Sequence, residues 1–170
     1  MEASITTWSG RKFNFLNPKP EDILIEDIAH ALSLQCRFNG HCSDFYSVAE
    51  HSLRVSRLVE WLGNTRDVVM TALLHDAAEA YIGDIVSPLK KELPDFTSIE
   101  RVVESAIAER FSLLYPFPEV VHRIDKEVLS LEFATLRPFC EEDKAKTCLS
   151  PKEAEEEFLA AYRRLSVIDE

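Results

Sequence analysis

Three ionisable residues lie within an otherwise apolar stretch near the middle of the chain. In the segment TALLHDAAEAYIGD (residues 71–84), His75 and Asp76 are adjacent and Glu79 follows one turn later. The pattern predicts an α-helix over 65–81, on which two adjacent side chains can reach one point just outside the helix. A histidine nitrogen beside a carboxylate oxygen suits a divalent cation such as zinc, cobalt, manganese or iron. The segment therefore predicts part of a metal site.

Two ligands are too few for such a site, so other helices are expected to supply more. His51 lies on the apolar face of a helix predicted over 47–62, and Asp125 lies in the apolar stripe of a helix predicted over 118–137. A carboxylate in such a stripe costs free energy unless it is paired, hydrogen-bonded or bound to a metal. Two histidines and two carboxylates leave coordination positions open, as catalysis requires. The predicted metal ligands are therefore His51, His75, Asp76 and Asp125.

Each candidate ligand taken alone also has a structural explanation. A single buried histidine such as His51 is usually a hydrogen-bonded core residue, and Asp125 has Arg123 and Lys126 as neighbouring partners. The adjacent histidine and aspartate of the central segment are harder to explain in this way. We favour the metal site because all of these residues fall on apolar helix faces, on three different helices.

The elements that must position these residues are predicted to be helical almost throughout. Capping signals begin three of the helices, at Ser47, Thr97 and Ser150, each followed three residues later by a glutamate. The one strand-like stretch, TWSGRKFNFL, predicts a short hairpin around Gly10. The helices are predicted at 22–35, 47–62, 65–81, 97–114, 118–137 and 150–166. The sequence therefore predicts an all-α bundle of about six helices, with the apolar third helix at its centre.

Composition narrows the classes of function. The chain has 170 residues, 46% of them hydrophobic and 29% charged, which favours a single domain over 1–170. We expect neither a signal peptide nor a membrane span, because no basic start precedes an apolar run and no apolar stretch approaches ~18 residues. The net charge of −11 disfavours nucleic acid and anionic membranes as partners. The four cysteines match no common zinc spacing and are expected to be free thiols in a reducing cytoplasm.

At this point the chain resembles a known family. The predicted ligands match the H…HD…D pattern of the HD-domain metal-dependent phosphohydrolases, and the resemblance covers roughly residues 10–135. The segment ALLHDAAEAYIGDIVSPLK is the more specific part. It resembles bacterial HD-type 5′-deoxynucleotidases and phage dATP triphosphohydrolases, and the segment that begins GRKFNFLNPKPEDI is closer to the compact phage group. The resemblance implies an HD-domain helical bundle.

The resemblance also implies roles for matching positions. Glu79 takes the place of an acidic group that handles the proton of the attacking water. Arg37 would hold phosphate and Phe38 would stack on the base or sugar. Asp84 would face the deoxyribose, and Lys90 would provide another phosphate contact. Phe38 stands where close relatives often have Trp, so base selectivity is not carried over with the motif.

These substrate-binding residues have structural explanations as well. Arg37 and Lys90 would also suit ordinary charged positions at the surface. Asp84 follows Gly83 and would suit the cap of a turn. Phe38 would suit a core position.

The expected function is hydrolysis of a deoxynucleotide. The leading expectation is a dATP triphosphohydrolase, which converts dATP to deoxyadenosine and triphosphate. The alternatives are a 5′-deoxynucleotidase that acts on monophosphates, and a metal-containing nucleotide sensor without turnover. The resemblance implies a divalent metal ion (zinc, cobalt, manganese or magnesium), a small-molecule deoxynucleotide as partner, and a homo-oligomer, either a dimer or a hexamer. The expected location is the cytoplasm of a bacterium or of a phage-infected host.

Overall fold

The computed structural model describes residues 3–136 and 148–167. Near the start, strand β1 (Ser4–Thr6) pairs antiparallel with strand β2 (Lys12–Asn14). Gly10, in the connecting turn, has a φ of +85°, a left-handed conformation that glycine adopts without steric cost. The predicted hairpin is therefore confirmed.

The rest of the described chain is mainly helical, which confirms the all-α prediction. Its α-helices are α1 (Ile25–Leu34), α2 (Val48–Trp61), α3 (Arg66–Leu73), α4 (Glu79–Ile82), α5 (Ser87–Lys90), α6 (Pro94–Phe111), α7 (Glu119–Leu136) and α8 (Pro151–Ser166). Helix α2 packs against α1, α3, α7 and α8, so α2 holds the central place that the sequence predicted for the third helix. Since no helix of the described ranges is long and apolar enough, none qualifies as a membrane span.

The helix predicted over 65–81 is broken in the structure, and this prediction was wrong. Helix α3 ends at Leu73, and the chain resumes as α4 at Glu79 after a series of turns. His75 Nδ1 lies 2.8 Å from the carbonyl oxygen of Ala72, an oxygen that would accept the N–H of Asp76 in a continuous α-helix. The histidine side chain thus replaces a backbone bond at the break. The predicted ligands His75 and Asp76 consequently lie on a tightened turn.

Capping chemistry sets several of the observed boundaries. Ser47 and Ser150 accept a backbone N–H through their side chains and begin α2 and α8, as predicted. The prediction at Thr97 was wrong, because α6 begins at Pro94 and Thr97 lies inside the helix. Proline suits the first turn of a helix because it lacks the N–H that would be unsatisfied there.

Periodicity explains why two of the predicted ligands face inward. His51 falls in the same buried stripe of α2 as Val48 and Val55, so the packing of α2 carries it into the core. On α7, Asp125 follows the buried Ile124 and keeps partial exposure at the edge of the stripe. The two helices pack against each other, which brings these side chains together.

Candidate active site

Three of the predicted ligands form a tight cluster between α2, α7 and the turn after α3. One ligand atom from each of His51, His75 and Asp125 lies within 4.8 Å of the others. Asp125 Oδ1 is 3.1 Å from His51 Nε2 and 3.8 Å from His75 Nε2. Elements distant in the sequence therefore converge on one point, as a metal site requires.

Asp76 completes the predicted set. Its Oδ1 lies 3.3 Å from His75 Nε2, and its Oδ2 lies 3.5 Å from His51 Nε2. The structure thus brings all four predicted ligands together, with Asp76 at the border between the cluster and the adjoining cleft.

Both histidines present the same nitrogen to the cluster. His51 Nδ1 is 2.9 Å from Glu132 Oε1, and His75 Nδ1 is 2.8 Å from the carbonyl oxygen of Ala72. Since carboxylate and carbonyl oxygens only accept hydrogen bonds, each Nδ1 carries a proton. Each Nε2 is therefore the nitrogen that would offer its lone pair to a cation once its own proton is displaced. His75 Nε2 is buried and lacks a hydrogen-bond partner in the described residues. Two imidazoles and two carboxylates with such an unpartnered nitrogen fit a divalent cation.

The pKa shifts in the cluster indicate that a bound cation would replace protons held between the histidines and carboxylates. Burial lowers the pKa of His75, but the carboxylates of Asp76 and Asp125 outweigh burial and raise it to about 9. Burial raises the pKa of Asp125, yet the hydrogen bond from His51 and the nearby charge of His75 hold it well below its usual range. Without a metal, protons therefore stabilise the cluster. Metal binding would displace them, as is usual where ligands must be deprotonated.

Glu79 lies at the start of α4 beside the cluster. Its side chain is buried, and Oε2 is without a hydrogen-bond partner in the described part of the chain. Burial raises the pKa of Glu79 well above its ordinary value, and the charges of Asp76 and Asp84 raise it further. A carboxyl group whose pKa is shifted towards neutrality is suited to proton transfer near neutral pH.

A cleft of about 550 Å³ opens from the cluster, a volume in the range of small-molecule sites. Asp76, Glu79 and Asp125 line its inner part, and the rings of Phe38 and Phe133 line another wall. The four predicted substrate-binding residues, Arg37, Phe38, Asp84 and Lys90, all line this cleft.

The two predicted phosphate contacts differ in their surroundings. Arg37 is buried, which excludes the interpretation as a surface charge; its Nη1 lies 3.5 Å from Asp76 Oδ2 and its Nε 3.4 Å from Glu132 Oε2. Lys90 Nζ lies 2.6 Å from Glu100 Oε1, on the neighbouring helix α6. Arg37 is therefore held beside the predicted metal ligands, whereas the charge of Lys90 is already paired.

The segment that carries Phe38 has an uncommon backbone. Phe38 and Asn39 have φ values of +57° and +52°, and Gly40 follows at +77°. A bulky residue in this region is strained, and such strain clusters at functional sites. The Phe38 ring meets Phe133 edge to face, with centroids 6.3 Å apart. The turn therefore directs an aromatic side chain to the cleft at a conformational cost.

Asp84 lines the same cleft. Its backbone N–H donates to Gln35 Oε1 at 3.2 Å, which anchors the segment after Gly83. Burial raises the pKa of the Asp84 carboxyl group. The side chain thus lines the cleft near Glu79, in agreement with a place beside bound substrate.

Sequence reasoning missed Glu132 and Tyr46. Glu132 is 1% exposed, and its Oε1 accepts hydrogen bonds from His51 Nδ1 and from the Tyr46 hydroxyl group. Glu132 lies two helical turns after Asp125 in the same buried stripe, so the signal that identified Asp125 was present for it too. No comparable signal marks Tyr46, whose contact depends on tertiary packing.

Comparison with known proteins agrees with this site. Residues 38–138 match a family model described as 5′-deoxynucleotidase YfbR-like. The Escherichia coli K12 protein YfdR is 44% identical over 109 residues, which are 64% of this chain and 58% of YfdR. The Rhodobacter capsulatus protein RCAP_rcc00048 is 39% identical over 123 residues, 69% of this chain and 63% of that protein.

The matched region thus spans less than two thirds of the length of either curated relative. The family match covers more than half of the chain and includes every predicted metal ligand together with Glu79. It confirms the resemblance to bacterial HD-type 5′-deoxynucleotidases. On this evidence the chain belongs to the YfbR-like family of 5′-deoxynucleotidases.

Proposed function

We propose that the protein is a metal-dependent 5′-deoxynucleotidase, which hydrolyses a deoxynucleoside 5′-monophosphate to a deoxynucleoside and orthophosphate. The observation that carries the proposal is the match to the 5′-deoxynucleotidase family model over the segment that holds the whole ligand cluster. The leading expectation from the sequence was dATP hydrolysis. The family match supports the monophosphate alternative better.

The charges that line the cleft also favour a monophosphate. Its described lining includes four carboxylates, Asp76, Glu79, Asp84 and Asp125, but the cationic side chains there are Arg37 and Lys90. Lys90 is already paired with Glu100. A triphosphate would bring several more negative charges into a cleft that has little positive charge to offset them. A monophosphate dianion can be balanced by one divalent cation and Arg37.

The mechanism assigns separate tasks to the residues around the cleft. His51, His75, Asp76 and Asp125 would hold the divalent cation, which supplies a water of lowered pKa and polarises a phosphoryl oxygen. Glu79, which lines the cleft together with Asp76, would accept the proton of the attacking water. The same proton is then available for the 5′-oxygen as its bond to phosphorus breaks.

The remaining residues would orient the substrate. Arg37 offers a planar fork of donors to the phosphate oxygens. Phe38 would stack against the base or sugar, and Asp84 would face the deoxyribose. Lys90, whose charge is paired with Glu100, would contribute only weakly to phosphate binding. Each of these roles follows from the position of the side chain in the cleft together with the family resemblance.

The test is product analysis by chromatography. The protein, loaded in turn with zinc, cobalt, manganese or magnesium, is incubated with the four deoxynucleoside monophosphates, dATP and AMP. We expect orthophosphate and the deoxynucleoside from the monophosphates, with dATP left intact. Release of intact triphosphate from dATP, with the monophosphates inert, would restore the triphosphohydrolase alternative. Nucleotide binding without turnover under every metal would instead favour a sensor.

A further inference from the structure

We propose that Glu132 is a positioning residue that holds the metal ligand His51 through one carboxylate oxygen and Arg37 through the other. The proposal deepens the proposed function, because it rests on the metal centre described above, but it does not depend on which nucleotide is the substrate. It rests on the position of the buried Glu132 carboxylate, which lies between His51 and Arg37.

The first contact orients His51. Glu132 Oε1 lies 2.9 Å from His51 Nδ1, and both side chains are almost completely buried. The bond keeps the proton on Nδ1 and leaves Nε2, which is 3.1 Å from Asp125 Oδ1, as the nitrogen directed at the cluster. A carboxylate behind a metal-binding histidine also increases the basicity of the ligand.

Tyr46 restrains Glu132 from a second direction. Its hydroxyl group donates to the same oxygen, Oε1, and its backbone carbonyl accepts the N–H of Arg37 at 2.9 Å. Tyr46, two residues before α2, therefore contacts both the Glu132 carboxylate and the backbone of Arg37. Such a doubly restrained carboxylate has little freedom to reorient.

The second contact concerns Arg37. Glu132 Oε2 lies 3.4 Å from Arg37 Nε, while Arg37 Nη1 lies 3.5 Å from Asp76 Oδ2. The guanidinium group is thus held between Glu132 and a predicted metal ligand. Because a buried charge is costly without a partner, the pair restrains the arginine as well as the glutamate. Glu132 therefore couples the position of the phosphate-binding group to that of the metal.

The variant Glu132→Gln separates this role from packing. The amide has nearly the shape of the carboxylate, and its oxygen still accepts from His51 and Tyr46. It has no negative charge, however, and its NH₂ group would face Arg37 Nε, another donor. We expect the affinity for cobalt(II) to fall ~10–100-fold, the usual effect of losing such a partner of a metal ligand. The dissociation constant is measured by visible absorption with chelator competition, and folding by circular dichroism.

Glu50→Gln is the matched control. Glu50 is also buried and neighbours His51 on α2, but its carboxylate pairs with Arg54 and with the backbone N–H of Leu149. This variant should bind cobalt(II) like the original protein. A folded Glu132→Gln protein with an unchanged cobalt dissociation constant would overturn the proposal, as would an equal loss of affinity in both variants.

A measurement on the unaltered protein covers the case in which Glu132→Gln does not fold. In the zinc-loaded protein, nitrogen-15 spectra of the histidine rings should show His51 bound to zinc through Nε2, with a slowly exchanging proton on Nδ1. Zinc on Nδ1, or a freely exchanging Nδ1 proton, would contradict the proposal. Neither the cobalt titration nor the nitrogen-15 spectrum uses substrate. Failure to hydrolyse monophosphates would therefore count against the proposed function alone, and the role of Glu132 would be judged by these two measurements.

Discussion

His51 Nε2 and Asp125 Oδ1 lie 3.1 Å apart, although 74 positions separate the two residues in the sequence. The histidine is fully buried in α2, whereas the aspartate on α7 retains contact with the cleft. A hydrogen bond at this place would be exchanged for two metal bonds when a cation enters. Because the two residues lie on α2 and α7, the packing of these helices would set the distance between two predicted metal ligands.

Asp125→Ala should lose the metal and the activity together. The substitution removes a ligand that faces both histidines, so the bound metal should fall to a small fraction of one equivalent, and turnover with it. Metal content by elemental analysis and rate on a deoxynucleoside monophosphate are measured on the same sample. Glu127→Ala, at an exposed position of the same helix, is the control. Full metal content with undiminished turnover in Asp125→Ala would remove Asp125 from the ligand set.

Glu79→Gln should keep the metal and the fold but lose rate. The amide cannot take a proton from water, so we expect turnover to fall ~10²–10⁴-fold, the usual size of a general acid–base contribution. Stopped-time assays with saturating substrate and metal give the comparison. Glu92→Gln, at an exposed site outside the cleft lining, should behave like the original protein. A Glu79→Gln rate within a few-fold of the original would exclude proton transfer by this residue.

Arg37→Lys should weaken phosphate binding while it preserves charge. Lysine lacks the planar fork that can hold two phosphate oxygens, so we expect the KM for a monophosphate and the inhibition constant of orthophosphate to rise by about tenfold or more. Arg57→Lys changes an exposed arginine of α2 in the same way and should leave both constants unchanged. If orthophosphate binds Arg37→Lys as well as it binds the original protein, Arg37 does not contact the phosphate.

Asp84→Ala should relax the preference for deoxyribose. Asp84, which would face the deoxyribose, should leave little room there for a 2′-hydroxyl group, and removal of the carboxylate creates that room. We expect the ratio of kcat/KM for dAMP over AMP to fall by about tenfold or more, since crowded or unpaired polar groups discriminate strongly. Asp84→Asn keeps the volume and should keep most of the preference. An unchanged ratio in Asp84→Ala would place the sugar elsewhere.

Ser150→Ala should destabilise the protein without affecting the metal. Ser150 Oγ accepts the N–H of Glu153, and the Glu153 side chain returns to the Ser150 N–H at 2.8 Å, which completes a capping box at α8. Loss of such a cap costs about 1 kcal/mol of the free energy of unfolding. Urea unfolding measures this difference, with Lys152→Ala as the exposed control in the same helix. Equal stability of Ser150→Ala and the original protein would show that the cap contributes nothing.

Local sequence patterns determined much of the site. The periodicity of α2 and α7 placed His51 in a buried stripe and Asp125 at the edge of one, and the adjacent His75 and Asp76 predicted a shared ligand point. The capping signal at Ser150 located the start of α8 correctly. The helix faces and the start of α8 could be predicted because each depends on neighbours within one or two helical turns, where 3.6 residues per turn fix which side chains share a face.

Periodicity did not predict helix ends where polar and apolar residues did not alternate along the helix. The segment before His75 is apolar on nearly every side, so the sequence offered no sign that α3 ends at Leu73. The break depends on the bond from His75 Nδ1 to the Ala72 carbonyl, which replaces one bond of the helix. Similarly, Lys90 had the right residue type for phosphate, but the nearby face of α6 pairs it with Glu100.

By itself the sequence indicated candidate metal ligands and determined which helix faces are buried. The tertiary structure decided which side chains of other elements contact those buried faces. Glu132 contacts His51 across 81 positions of the chain and also pairs with Arg37, and neither contact is implied by the spacing of residues along α7. The physical reason is that helix geometry is local, whereas the partner of a buried charge is chosen by the packing of separate helices, where each charge must find its counterpart out of water.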